Sequence, residues 1–510
     1  MAPRDVSRLA FVVRLLWAAP LVALVGCIFD FNRTFTDARP PDARPSDADA
    51  GLDAASDARF ELMSLPTTGT VWSAAFDNAG AIYLVGSYHS SVALAEHPLK
   101  ATGRSDIFVV KLRMDGGVAW AQTFGGDDDY ADSPSEWGRD IALDAAGNAY
   151  VTGRIYGVAD EGGACEVGEA GAWNVFVARF ASKDGACDWA RSSTRVESGS
   201  APENSSGHAV AVDSKNNAVY VAGALTGKLG FATGDVESKG SFDILLVRYK
   251  DGAEKWVRSA GNTSNDLARG VTVDNDGDAY ITGTFNLQVD LGTHAIDSSG
   301  NSTDLFVARC SSAGTFQWAK QAGTTQSDSG AAIAWDGTGQ RLWVVADWNG
   351  DSAGAKQLYL ASYLRDGTPE STDNKTSAAR IAAGDIAAIG PNHLLIAGSF
   401  DGETLSYPGG SLTVSGSGRH LFAASYTWST VGSVNALHVS SGDVPGSNPW
   451  RHEGRGIAHD PVSDYAVVVG QLLNTITAPY DGTAQVTAHG YTAGSDKNSP
   501  VVWQHKFGAP

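Results

Sequence analysis

The sequence predicts an all-β fold: a seven-bladed β-propeller of four-stranded antiparallel blades, closed by an N-terminal strand that joins the last blade. First, one unit recurs seven times between Phe60 and the C-terminus at a spacing of about 64 residues, and it is built only of strand-like pieces. Second, no segment carries a 3.6-residue apolar period over helical length, while 59 glycines against three methionines suit a turn-rich chain. Third, the two ends of the repeat region are incomplete in complementary ways.

The clearest copy runs from Arg139 to Gly153, and related stretches end at Gly86, Gly223, Gly283, Gly398 and Gly470, and at Ala346 in the fifth copy. Each copy opens with an alternating run such as Val210-Ala211-Val212-Asp213. A tight Asn/Asp/Gly turn follows, then a second run such as Ala218-Val219-Tyr220-Val221-Ala222-Gly223. After a variable stretch comes a third strand: Asp106–Leu112, Asp243–Tyr249 or Asp304–Arg309. A Gly-containing turn then leads to a fourth, marked by Trp120, Trp189, Trp256 or Trp318. The last copy has its first strand (Gly456–Asp460), second (Tyr465–Val469) and third (Val501–His505), and lacks a fourth. An orphan strand, Phe60–Leu65, precedes the first copy and supplies what is missing, removing an exposed sheet edge.

Residues 1–26 read as a targeting segment. Arg4, Arg8 and Arg14 precede the apolar run Leu15–Val25, which is too short to span a bilayer and fits a signal-peptide core. It ends in Leu24-Val25-Gly26-Cys27, which resembles a bacterial lipobox and implies acylation of Cys27. The competing reading is an ordinary signal peptide with an incidental Cys. Ile28 stands where an inner-membrane retention signal would place Asp, so an exported, outer-membrane destination is expected, on its periplasmic or surface face. Residues 27–58, rich in Asp, Ala and Pro, bury too little apolar surface to fold, and read as an acidic tether extending at about 3 Å per residue. Residues 59–510 then form the propeller.

The formal charge of −20 argues against a nucleic-acid partner and against contact with anionic lipid headgroups other than through the anchor. A monomer is expected.

The D-x-x-G-N-x-Y-V-T-G hairpin at Asp144–Gly153, paired with a D-I/L-F-V-x-R/K strand and a following Trp, resembles the SBBP-type bacterial β-propeller repeat, a relative of NHL-like propellers. The second and fourth copies match best. The fifth departs at Gln357-Leu358-Tyr359 and has a polar fourth strand around Glu370–Lys375; the sixth lacks the hairpin Asp and the Trp. The resemblance implies a secreted or surface-attached protein and does not imply an activity.

Asp77, Asp144, Asp213, Asp274, Asp336 and Asp460 occupy matching positions before the hairpin turn. Reuse in copy after copy marks a turn-former whose carboxylate accepts a backbone N–H two residues on. By the same comparison Asp274-Asn275-Asp276-Gly277-Asp278 is a hairpin rather than a calcium loop: its Gly is misplaced and no ligating Glu follows. Asp127, Asp128, Asp129 and Asp132 are not repeated, and are candidates for a Ca2+ site or a solvated acidic loop.

Arg139, His208, Arg269 and Arg455 begin the innermost strand in four copies, with Trp72 and Ala331 at the same place in two others. They form a partial cationic ring for an anionic ligand, unless each Arg pairs with a neighbouring Asp such as Asp140. Cys165 and Cys187 flank the third strand of the second copy, as a disulfide or as two buried thiols. Cys310 fills a core slot held by Leu112, Phe180, Tyr249, Tyr363 and Tyr426 elsewhere. His452 and His459 do not share a metal.

No nucleophile elbow, H-E-x-x-H or P-loop is present, and no residue is nominated as catalytic. The function expected is that of a non-enzymatic, lipid-anchored envelope propeller whose loops, such as Tyr156–Ala172 and Gly402–Gly418, meet a protein or glycan. The alternatives are an exported hydrolase, lyase or dehydrogenase with its site at the central cavity, favoured by unlike polar residues about the axis, and a structural envelope spacer.

Overall fold

The computed structural model describes residues 62–506 except 65–68, 92–93, 95, 104, 127–135, 161–162, 197–203, 350–355, 379, 408–409, 414–418, 428–432, 440–452, 461–464, 473–476, 481–483 and 488–498. The targeting segment 1–26 and the tether 27–58 lie outside the described residues, as do Cys27, Asp127, Asp128, Asp129 and Asp132.

The described chain is all-β, and its strands assemble into antiparallel sheets of four. The first sheet holds Gly69–Phe76, Ile82–Tyr88, Asp106–Leu112 and Val118–Phe124; the second Trp137–Leu143, Ala149–Ala159, Val167–Phe180 and Cys187–Ser192. Ser206–Asp213, Ala218–Leu225, Asp243–Lys250 and Ala253–Ala260 make the third, and Leu267–Val273, Ala279–Asn286, Thr303–Cys310 and Phe316–Ala322 the fourth. The fifth is Ser329–Asp336, Arg341–Trp348, Lys356–Leu364 and Pro369–Ala378, and the sixth Arg380–Gly390, His393–Asp401, Arg419–Thr427 and Ser433–Val439. In the seventh, Glu453–His459, Tyr465–Leu472 and Ser499–Lys506 are joined by Leu62–Ser64, with Leu62 opposite Trp503 and Ser64 opposite Val501. The orphan strand therefore pairs where the sequence places it.

Second and third strands are buried on both faces because each sheet has a neighbour on either side. In Ile82–Tyr88, Tyr83 and Val85 pack toward the second sheet, whereas Leu84 packs with Val467 and Val469 of the seventh. Similar apolar layers lie between each pair of successive sheets, down to Leu395 and Ala423 against Ile457 and Val468. The first strands also pack on one another in order, and Glu453–His459 packs on Gly69–Phe76. Cys310 is buried in the layer between the third and fourth sheets, a core filler as expected.

The tryptophan of the fourth strand ties its sheet to the next. Trp120, Trp256 and Trp318 donate their indole N–H groups to the carbonyls of Ser182, Ser312 and Arg365, at 3.1, 3.0 and 3.0 Å. These carbonyls lie in the turn before the neighbour's fourth strand. The glycine of that turn lies flat on the ring. At Gly314 (φ +83°) a β-carbon would stand 2.9 Å from a Trp256 ring atom, and the left-handed backbone there favours glycine independently. The same tryptophans pack edge-on or tilted against second-strand tyrosines, as in Tyr220–Trp256 with ring centres 6.0 Å apart.

The hairpin aspartates are turn-formers. Asp144 accepts from Ala146 N at 2.9 Å and Asn148 N at 2.9 Å, and Asp77 repeats this with Ala79 N and Ala81 N. Asp274 does so with Asp276 N and Asp278 N, which makes 274–278 a hairpin turn whose carboxylates pair with Arg365.

The variable stretches are more ordered than the sequence suggests. Tyr156–Ala172 was expected as a loop, but strands Ala149–Ala159 and Val167–Phe180 run through most of it, with a slip between Tyr156 and Gly157. The Cys165–Cys187 disulfide ties this long hairpin to the fourth strand of its sheet. Within 402–418, Thr404–Tyr407 and Gly410–Thr413 pair and extend the fifth sheet to six strands through Ser377 and Ser406. Small hairpins also stand at Gln288–Leu291 with His294–Asp297, and at Thr477–Tyr480 with Ala484–Thr487.

One irregularity recurs in every sheet. The ladder between first and second strands slips by one residue at the same place, skipping Trp72, Arg139, His208, Arg269, Ala331, Gly384 and Arg455 in turn. Just before the slip, in every one of these sheets but the fifth, the pair includes the glycine that ends the repeat, as in Gly138↔Gly153 and Ala268↔Gly283. The bulge presses the first-strand backbone onto that glycine, so a β-carbon at Gly283 would collide with the Leu267 carbonyl oxygen. Gly283→Ala is expected to lower the unfolding free energy by about 1–3 kcal/mol, as overpacking does, measured by urea denaturation. Ala346 faces Gly330 in the fifth sheet, and Ala346→Gly is the matched control.

Candidate functional site

A bulged residue leaves the ladder, so its side chain is re-aimed away from the alternating faces of the sheet. Here the seven bulges face one another. Trp72, Arg139, His208, Arg269, Ala331, Gly384 and Arg455 lie within the first strands, a few residues in rather than at their starts as the sequence suggested, and with Asp140, Asp347 and Asp385 they line a cavity of about 290 Å3. The four residues predicted as a ring are thus brought together.

Their environments differ. Arg139 and Arg455 come from the sheets on either side of the first, and both stack on its Trp72, with guanidinium carbons 4.2 and 3.8 Å from the ring centre. Arg269 keeps more of its surface exposed than Arg139 or Arg455 does; desolvation by the surrounding protein still lowers its proton affinity, while Asp347 of the next sheet offsets this. Its Nε donates to Thr284 Oγ1 at 3.3 Å. The expectation that a neighbouring carboxylate balances an Arg describes Arg269, with Asp347, and Arg139, whose charge acts on the adjacent Asp140.

Asp140 is engaged mainly by neutral donors. It accepts from Ser73 Oγ of the first sheet at 2.7 Å, from Ile141 N at 2.9 Å and from Val210 N of the third sheet at 2.8 Å. Asp385 repeats the motif, accepting from Ile386 N at 2.8 Å and from Ile457 N of the seventh sheet at 3.0 Å. Asp347 accepts from Ala383 N of the sixth sheet at 2.6 Å. These carboxylates brace one sheet against the next.

Burial raises the proton affinity of all three. Asp385 is pushed up to about 7 and Asp347 up to about 6, chiefly by desolvation, and Asp140 is raised for the same reason. The charge of Asp140 adds to the effect at Asp385.

His208 accepts or donates at both ring nitrogens, its Nε2 lying 2.7 Å from Ser206 Oγ and its Nδ1 2.7 Å from the Ala268 carbonyl. The carbonyl requires a proton on Nδ1, so the network assigns Nε2 as acceptor of the Ser206 hydroxyl. Burial, then the Arg139 guanidinium, push the imidazole down to about 3, so it is neutral at physiological pH.

Asp347, Asp385 and Gly384 were not singled out in the sequence. Asp385 had a signal, since it follows the bulge position as Asp140 does. Asp347 follows Ala346 where other copies carry Ser87, Thr284 or Ser399. Among the described residues, no group of three or more His, Cys, Asp or Glu side chains is arranged to hold a metal ion.

No protein-family model matches the chain, and no curated protein matches it. Solved structures resemble it at low identity. A chain in a crystal structure of a mitotic checkpoint complex is 9% identical, with 92% of this chain and 97% of that one covered, at a TM-score of 0.43. The Neurospora crassa Pan2 WD40 domain is 11% identical over 88% and 96% of the two chains, at 0.38. Puromycin hydrolase is 14% identical over 84% of this chain and 55% of its own, at 0.39.

Asp385 titrates higher in the fold than an unfolded aspartate, so between about pH 4 and pH 7 the folded chain holds a proton that the unfolded chain has released. Stability from this group is full below that window and falls as pH rises through it. The melting temperature is expected to be higher at pH 5 than at pH 7.5, with a smaller difference in Asp385→Asn. Equal differences in the two proteins would remove Asp385 as the cause.

Proposed function

We propose that this chain is a seven-bladed β-propeller of the SBBP type, closed by Leu62–Ser64, and that it binds a partner rather than transforming a substrate. Support for the blade count and closure comes from the apolar layers between successive sheets, one of which joins the seventh sheet to the first. The pairing of Leu62–Ser64 with Ser499–Lys506 supports it from the other side of the same sheet. Acylation of Cys27 would hold the propeller on the outer membrane, with residues 27–58 as the tether.

The observation that carries the binding reading is the state of the polar groups at the axis. The carboxylates are occupied as braces between sheets, and the imidazole is held neutral between Ser206 and the Ala268 carbonyl. The residues about the axis are nevertheless unlike one another, which favours an exported enzyme, and the Ser206–His208 contact is the candidate pair for it. A general base serves best when its proton affinity lies near the working pH. At about 3, His208 takes up the Ser206 proton poorly. Binding is the better account.

The loops that follow the second strands are the surface offered for a protein or glycan, among them the added hairpin Thr404–Tyr407 with Gly410–Thr413. The 59–510 chain, immobilised and exposed to cell-envelope extract, is expected to retain a defined protein or glycan, with loss when that hairpin is replaced by a short turn. Retention of nothing above a control, or ester hydrolysis abolished by Ser206→Ala, would reverse the assignment. Labelled palmitate is expected to enter the full chain in a Gram-negative host and not its Cys27→Ser variant; an unlabelled wild-type chain would remove the anchor.

A further inference from the structure

We infer that Asp243 and Asp266 hold one proton between them and form a pH-operated latch on the loops where they meet, a device repeated by Asp106 with Glu136 and by Asp304 with Asp328. This goes beyond the loop-borne partner: it concerns the base of those loops and holds whatever they bind.

The first ground is the repeat itself. Asp106, Asp243 and Asp304 each stand two residues before the third-strand residue that faces the repeat glycine. Glu136, Asp266 and Asp328 each stand three residues before the bulge of the following sheet. Where the third-strand position is not acidic the other is not either, as with Asn174 and Ser205 between the second and third sheets. Two carboxyl groups that occur together or not at all share a task. None of the six is more than 1% exposed.

The second ground is geometric. Each third-strand acid accepts the N–H of the residue four before it, in the loop entering its strand: Asp243 from Lys239 at 3.2 Å, Asp106 from Thr102 at 3.0 Å and Asp304 from Ser299 at 2.8 Å. Each partner acid accepts an N–H near the end of its own sheet's second strand: Asp266 from Asn286 at 3.0 Å, Glu136 from Tyr156 at 2.9 Å and Asp328 from Asn349 at 2.6 Å. One glycine lies between the two acids. At Gly125 a β-carbon would strike Glu136 and stand 2.9 Å from Asp106 Oδ1, and at Gly261 and Gly323 it would strike Asp243 and Asp304. The next N–H along, from Asn262 or Thr324, binds Asp266 or Asp328 at 2.8 and 2.6 Å. Each pair thus ties the end of one loop to the start of the next.

The third ground is charge. The charge of Asp243 acts on Asp266, and that of Asp328 on Asp304. Lys239, exposed on its loop, is a cation acting on both Asp243 and Asp266, and the phenol of Tyr88 stands within reach of the Asp106 charge. Asp243 Oδ1 is buried and accepts no hydrogen bond among the described residues. An ionised oxygen so placed is costly, and a proton held by the pair removes the cost. Desolvation, with the Asp243 charge adding to it, pushes Asp266 up to about 6, and burial raises Asp243, Asp106 and Asp304 in the same direction. Between about pH 4 and about pH 6 the folded chain therefore keeps a proton that the unfolded chain has released. The stability this contributes is complete below that window and is lost as pH rises through it. Loss of the proton to water leaves two charges facing each other, and the loop ends they hold are driven apart.

The test is hydrogen exchange of the whole chain at pH 5 and pH 8, read by mass spectrometry on the peptides carrying Lys239, Asn262 and Asn286 and corrected for the intrinsic pH dependence of exchange. After correction these peptides are expected to exchange about fivefold faster at pH 8. Asp243→Asn, which gives the third sheet what the second has in Asn174, is expected to remove most of this difference and to raise the melting temperature at pH 8 but not at pH 5. Asp266→Asn carries the same expectation and keeps the test open if Asp243→Asn does not fold. Asp385→Asn is expected to leave the exchange difference intact, which separates the latch from the carboxyl groups at the axis. Equal corrected exchange of the unaltered chain at the two pH values overturns the proposal. So does an equal fall in melting temperature at both pH values in the two Asn variants, which marks an ionised brace. Millimolar calcium is expected to leave exchange at pH 8 unchanged; slowing to the pH 5 rate would assign the pair to a metal ion instead of a proton.

Discussion

Backbone ladders are among the most exacting constraints in a sheet, because every strand residue must either pair or be accommodated outside the pairing. In this protein each first strand leaves a residue out at the same place, and that of the sixth sheet leaves out a second, Ile389. The omission bends the strand, brings its backbone hard against the second strand and turns one side chain out of the sheet plane. The glycine ending each repeat tolerates the close approach, and the fifth sheet, with Ala346, has Gly330 opposite instead. The cavity, its arginines and the stacked Trp72 all follow from this one slip, repeated around the molecule.

Around the axis, charge is managed by spending carboxylates on backbone donors. Asp140 and Asp385 each reach the N–H of the first strand in the next sheet, so the first strands are joined by directional bonds as well as by apolar packing. The carboxylates there are desolvated by the surrounding protein, and an ionised one without donors would be costly. Partial neutralisation by protonation is the compromise that Asp385 and Asp347 reach. At the periphery the Trp indoles perform the corresponding task, bonding across to a carbonyl of the next sheet.

Repetition made the regular parts legible. Alternation, the hairpin Asp and the fourth-strand Trp located the four-stranded sheets, and the unpaired ends located the partner of Leu62–Ser64. Comparison between copies also disposed of the Asp274–Asp278 motif, because a metal loop has no reason to recur at each hairpin. The ring of Arg139, His208, Arg269 and Arg455 was visible for the same reason. What was not legible depends on distance across the sheets. The pairing of Arg269 with Asp347 in charge, and of two arginines with Trp72, joins residues whose separation in sequence carries no pattern. Equally hidden was the order in the variable stretches. Val167–Gly171 and Thr404–Tyr407 are short, Gly-rich or polar segments that become strands only because an existing sheet edge or partner hairpin offers them hydrogen bonds.

Leu62–Ser64 contributes only three residues to the seventh sheet, yet they are drawn from the opposite end of the described chain to their partner strand. Nearly all other pairings join strands close in sequence, so hairpins and whole sheets have small closure costs and can form early. Among the described residues this last pairing has the greatest closure entropy, and only three residue pairs offset it. As the chain emerges from synthesis with its N-terminus leading, that segment must wait, unpaired, until the final strand arrives. The assembled sheets are therefore a state reached late and all at once, and the seam between the first and seventh sheets is where mechanical or thermal opening should begin.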